Sequence, residues 1–104
     1  MIRRPVVANS FYPGDPGELA RTLKQFTPDC KEKDKKQAIV AISPHAGYIY
    51  SGAVAGEVFS GLQIPEDVII LGPNHTGHGQ PVSIMAEGSW ELPSGNVPVN
   101  KELA

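Results

Sequence analysis

Ala38-Ile39-Val40-Ala41-Ile42-Ser43-Pro44-His45 decides how this chain reads: an unbroken apolar run rich in β-branched residues, ending in a turn that carries a histidine. Such a run, with no polar alternation, suits a strand covered on both faces, and strands of that kind belong to parallel sheets flanked by helices. Val68-Ile69-Ile70-Leu71 repeats the apolar pattern, and Gly72-Pro73-Asn74-His75 repeats the histidine-bearing exit. Between the two, a helix is expected from Ser51, with Val54, Val58 and Leu62 plus Ala55 and Phe59 on one side. Small Ala53 and Gly56 permit close approach to a sheet, and Gly61 and Pro65 bracket the helix end. Strand, helix, strand in that order predicts a right-handed parallel βαβ core and an α/β fold class. His45 and His75 then leave the same sheet edge, beyond the carboxyl ends of parallel strands, where α/β sheets collect their chemistry.

Upstream, Pro13-Gly14-Asp15-Pro16-Gly17-Glu18 predicts a helix start, with Asp15 as N-cap, Pro16 in the first turn and Glu18 at the reciprocal capping position. Leu19, Leu23 and Phe26 follow at helical spacing, and Lys31 to Lys36 reads as a solvated connector. Downstream, Pro81 to Ala86 and Trp90 to Val99 carry weaker strand signals, broken by Gly88, Pro93, Gly95 and Pro98, and are expected as short edge strands or a meander. Asn100-Lys101-Glu102-Leu103-Ala104 opens like a helix with Asn100 as N-cap. Residues 1–104 therefore read as one partial domain, the first part of a larger α/β unit that stops at a helix start. Uncovered edges of such a sheet are expected to favour self-association.

With 104 residues and 40% hydrophobic content, the chain has one domain's worth of material, enough for a core burying about 65% of its unfolded surface. Nine Lys and Arg against 11 Asp and Glu give a net charge of -2, which lacks the basic footprint that nucleic acid requires. The single Cys30 precludes an intramolecular disulfide, and a reducing, cytoplasmic setting is expected. Arg3-Arg4 is followed by no continuous apolar stretch of the export type, and nothing approaches the roughly 20 apolar residues of a membrane span.

Catalytic metals commonly take three protein ligands and keep a position open, and non-haem iron often uses two histidines and a carboxylate. The chain offers His45, His75 and His78, the last two spaced H-x-x-H. A single histidine in such a turn is more often a backbone hydrogen-bonding group. Two at matching strand ends favour a shared site, and Pro44, Pro73, Gly47 and Gly72 supply stiff, closely approaching backbone around it. Phe11, Tyr12, Tyr48 and Tyr50 are candidates either for the core or for a pocket wall, and Trp90 for packing. Nucleophilic catalysis is the competing enzyme reading. It is weaker, because Cys30 sits in a polar connector and Ser51 is expected to cap a helix. Ser51-Gly52-Ala53-Val54-Ala55-Gly56 also lacks the ending of a phosphate loop.

Arg4-Pro5-Val6-Val7-Ala8 with Phe11-Tyr12-Pro13, Pro44-His45-Ala46-Gly47-Tyr48, Gly72-Pro73-Asn74-His75, and Trp90 with Pro93 and Gly95 occur here in one order. Together they resemble the Memo family, whose bacterial members are often called AmmeMemoRadiSam system protein B. The sequence departs from the family at Asn9, where Gly is usual, and around Leu92 and Ser94. It is also shorter than Memo-like proteins generally are. The resemblance implies an α/β sandwich similar to the catalytic subunit of class III extradiol dioxygenases. It implies His45 and His75 as ligands of Fe(II) or Cu, with Phe11 and Tyr50 beside the pocket. A third ligand, typically a cysteine, would come from outside these residues, and Cys30 does not stand at its position. Tyr48, Asn74 and His78 stand as further candidates.

The leading expectation is thus a metal-dependent redox domain, dioxygenase-like, that handles dioxygen or a small molecule and is nearly inactive and weakly metal-binding as 104 residues alone. The second is a non-catalytic recognition module for a phosphorylated or otherwise anionic peptide. The third is a fragment with no activity of its own.

Overall fold

Asp15 begins α1 (Pro16–Phe26) as its neighbours dictate: its carboxylate accepts from the Glu18 N–H at 2.9 Å, and Pro16 lies where a missing N–H costs nothing. The computed structural model describes all 104 residues. Leu19, on the inner face of α1, is buried. The second helix, α2 (Tyr48–Ser60), begins at Tyr48 rather than at Ser51. Ser51 is therefore not the cap. It is buried one turn inside the helix, where its hydroxyl donates to the Ala46 carbonyl at 3.0 Å, the back-bonding habit of serine in a helical turn.

The small residues of α2 serve a different neighbour from the one expected. A Cβ on Gly56 would collide with the Phe26 carbonyl oxygen, and one on Gly52 would lie 2.8 Å from the Phe26 ring. Close approach is thus to the C-terminal end of α1, helix on helix.

The sheet has three strands in the order β1 (Ile2–Arg3), β2 (Ser89–Leu92), β3 (Gly95–Pro98). β1 runs parallel to β2, pairing Ile2 with Ser89 and Arg3 with Trp90, and β2 and β3 form an antiparallel hairpin closed by Pro93-Ser94. The Arg3 guanidinium stacks 4.9 Å from the Trp90 ring centre, a cation–π contact that fastens the chain start to the hairpin. Two helices and a mixed sheet with one parallel pair place the chain in the α/β class.

What differs from expectation is which segments carry the ladder. Ala38–Ile42 and Val68–Leu71 form no strand, nor does Pro81–Ala86, and the short C-terminal signals form the sheet instead. The backbone groups of residues 38–42 and 68–71 make no hydrogen bond to other backbone. A doubly covered strand needs neighbours on both edges and a layer on each face, and these two segments have neither. They nevertheless run in the same direction. A parallel bridge joins Lys36 and Leu62 just before them, and His45 and His75 meet just after them.

At the C-terminus residues 101–103 form a turn and not the expected helix; Asn100 Oδ1 accepts from the N–H groups of Glu102 and Leu103, and its Nδ2 donates to Asp67 Oδ1 at 2.8 Å.

Candidate functional site

His45 and His75 come from turns 30 residues apart, and their Nε2 atoms lie 3.0 Å from each other. The rings are 5.1 Å apart and tilted by 43°. Both side chains are exposed. In one pair of tautomers an Nε2–H donates to the other ring's lone pair; with both Nδ1 atoms protonated, two lone pairs converge instead. The second arrangement suits a shared cation, because metal–nitrogen bonds of about 2.0–2.1 Å put two imidazole nitrogens on one ion roughly 3 Å apart. The donor set is two histidines: no group of three His, Cys, Asp or Glu side chains capable of holding a metal ion is gathered. The pair therefore fits as part of a ligand set and does not complete one.

Each turn is held by its own polar contacts. On the first, the Ser51 hydroxyl ties the Ala46 carbonyl next to His45. The Tyr48 N–H donates to the Phe11 carbonyl at 2.8 Å, joining the start of α2 to the N-terminal segment. That segment turns sharply at Asn9, whose φ is +65° and whose Oδ1 accepts from the Gly14 N–H at 2.8 Å. The left-handed conformation suits glycine best and asparagine next, so Asn9 meets a backbone demand that few other residues meet as easily. On the second turn, Asn74 Oδ1 accepts from Thr76 and from the Gly77 N–H, while its Nδ2 donates to the His78 carbonyl at 2.8 Å. Asn74 thus shapes the loop around His75. His78 takes part through its backbone, and its imidazole makes no hydrogen bond.

Beside His45 a cavity of about 440 Å³ opens beneath the two helices, walled by Phe11, Tyr12, Phe26, Tyr48 and Phe59 among others. Tyr48 packs on Tyr12 with ring centres 5.6 Å apart. Burial, with the neighbouring Tyr12 phenol adding to it, pushes the Tyr48 hydroxyl above its ordinary pKa of 10.0. Phe11 stands in the wall. Tyr50 is 84% exposed on the first turn of α2 and lines neither this cavity nor the adjoining one around Asn9. The positioning part of Ser51 was not legible beforehand; its signal is a serine just inside a helix that begins on glycine, where a hydroxyl can reach back to unpaired carbonyls.

The sequence profile described as "Memo-like protein" matches residues 3–104. The chain belongs to the Memo-like family. A MEMO1 family protein of Aquifex aeolicus is 49% identical over 105 residues, covering 98% of this chain and 38% of the relative. One from Pyrococcus furiosus is 45% identical over 108 residues, covering 100% of this chain and 37% of the relative. One from Archaeoglobus fulgidus is 45% identical over 102 residues, with 98% and 38% covered. The chain thus spans less than half the length of these Memo-like relatives. No solved structure matches it. No helix of this Memo-like chain is long and apolar enough to cross a membrane.

Proposed function

We propose that His45 and His75 are two ligands of a metal site, for Fe(II) or Cu, in a Memo-like redox domain of dioxygenase-like type. The observation that carries this reading is the 3.0 Å approach of the two Nε2 atoms from turns 30 residues apart. Imidazole nitrogen suits both metals, and a third protein ligand lies outside the two turns. The bound metal supplies Lewis-acid and redox activation of a small ligand such as dioxygen.

The chain's own side chains hold and orient. His45 and His75 present nitrogen lone pairs from turns stiffened by Ser51 and Asn74. The aromatic wall of Phe11, Tyr12 and Tyr48 beside His45 offers an apolar surface to a small substrate and keeps water from it. The Tyr48 hydroxyl, its pKa raised, stays protonated at neutral pH and donates or accepts hydrogen bonds without carrying charge.

The test is elemental analysis of anaerobically purified protein, followed by Fe(II) and Cu titrations of the wild type and of His45→Ala, His75→Ala and His78→Ala. Affinity is expected to fall at least about tenfold in the first two variants and to stay unchanged in the third. Equal affinity in the wild type and in a His45→Ala/His75→Ala double variant would overturn the proposal.

A further inference from the structure

We propose that Asn74 is the positioning residue of His75: its side-chain amide, braced by the Thr76 hydroxyl, fixes the turn that carries the imidazole to His45. The two histidines reach their meeting point by unequal means. His45 stands two residues before Gly47, the cap of α2, and the helix start grips that turn: the Tyr50 and Ser51 N–H groups donate to the Gly47 carbonyl and the Ser51 hydroxyl to the Ala46 carbonyl. Residues 72–80 belong to no helix or strand and make no backbone–backbone hydrogen bond. His75 therefore has no regular element behind it.

The Asn74 side chain takes the place of one. Its Oδ1 accepts from the Thr76 and Gly77 N–H groups at 3.2 and 3.0 Å and from the Thr76 hydroxyl at 3.2 Å, and its Nδ2 donates to the His78 carbonyl at 2.8 Å. The Thr76 hydroxyl accepts in turn from the His78 N–H at 3.3 Å. Gly77, at φ +70°, bends the chain back toward Asn74, and a Cβ there meets nothing within 4 Å, so backbone conformation rather than space calls for glycine. His75 lies inside the ring of bonds that Asn74 closes.

The chemistry of the ring selects an amide. Only Asn and Gln side chains offer a carbonyl acceptor and an N–H donor on one planar group, and Asn is the shorter. An aspartate of the same shape keeps the acceptor, loses the donor and sets a carboxylate oxygen against the His78 carbonyl. Two imidazoles that share one point need positions held to about 0.5 Å, and in this turn the Asn74 amide is the group that supplies the restraint. For its use the assignment rests on the reading of His45 and His75 as metal ligands, whereas the geometry it explains exists without metal.

The experiment reads the 104-residue chain twice. Without metal, nuclear Overhauser contact between the His45 and His75 rings is expected in the wild type and in Thr76→Ser, to weaken in Thr76→Val and Asn74→Asp, and to vanish in Asn74→Ala, while the helical circular dichroism stays constant. With Cu(II), affinity is expected to fall about tenfold or more in Asn74→Ala and to hold in Thr76→Ser. Asn74→Asp is read by ring contact alone, because a carboxylate beside His75 attracts a cation by itself. The proposal would be overturned by ring contact at full strength in Asn74→Ala, by its absence in the wild type, or by a loss of helix accompanying the loss of contact. Unchanged Cu(II) affinity in Asn74→Ala, where His45→Ala and His75→Ala lower it, would do the same. Ring contact that depends on Asn74 while Cu(II) binding ignores both histidines would uphold the positioning role and sink the metal reading instead.

Discussion

Asn9 shows how one residue can meet a backbone demand that a side chain normally resists. At φ +65°, an asparagine costs little more than a glycine, while a β-branched residue pays on the order of 1–2 kcal/mol. Asn9→Gly is therefore expected to leave the fold of the N-terminal turn unchanged, and Asn9→Val to loosen it, seen as faster amide exchange at Phe11 and Gly14. Tyr48 gives a second prediction at this scale. Its folded pKa lies above 10.0, so the folded state holds its proton more tightly than the unfolded state does. Its contribution to stability is fully present below pH 10 and is lost as pH rises through the folded value. An ultraviolet tyrosinate titration should show one phenol ionising late, and Tyr48→Phe should remove that phase. The histidines were legible at this scale because proline and glycine mark where each apolar run ends, whatever hydrogen bonds the run makes. Tyr50, in contrast, was assigned to the pocket by motif, and on the exposed side of α2 it lines neither cavity.

Among the elements, α1 was readable to its cap because Asp15, Pro16 and Glu18 act on one another within a single turn. Replacing Asp15 by Ala should cost about 1 kcal/mol, measured as lost helical circular dichroism on warming. The start of α2 was misread for an equally local reason: serine caps helices often, but here Gly47 precedes the first turn and Ser51 reaches backward. The role of Gly56 was half legible, since smallness predicts close approach without naming the neighbour. Because a Cβ there collides with the Phe26 carbonyl, Gly56→Ala should force the helices apart at a cost of about 1–3 kcal/mol. Release of Phe26 should appear as changed aromatic circular dichroism. Ala38–Ile42 and Val68–Leu71 could not be placed from sequence in the same way. Apolar composition states what a strand requires around it, and whether those neighbours are supplied is a property of other residues.

For the whole molecule, the expected burial of about 65% of the unfolded surface contrasts with an observed exposed area of 8833 Å², equivalent to burying only about 45%. Because the dependence of stability on denaturant scales with the surface released, the urea m-value of the 104-residue chain should fall about 30% below that of a fully packed chain of equal length. An m-value at the full level would mean that the two apolar segments are covered in solution. The α/β class survives this shortfall because helices and hairpin are specified locally, while the large core depends on pairing across the sheet.

The meeting of His45 and His75 also ties a knot in the chain's freedom. The segment between them, two histidines 30 positions apart, contains all of α2, and a covalent staple across a loop of that length removes about 3–4 kcal/mol of disorder from the unfolded chain. A cation held by both imidazoles does part of the same work. Adding it should raise the melting temperature of α2 in the wild type and leave it unmoved in His45→Ala, which makes heat, rather than turnover, a sufficient witness of the bridge.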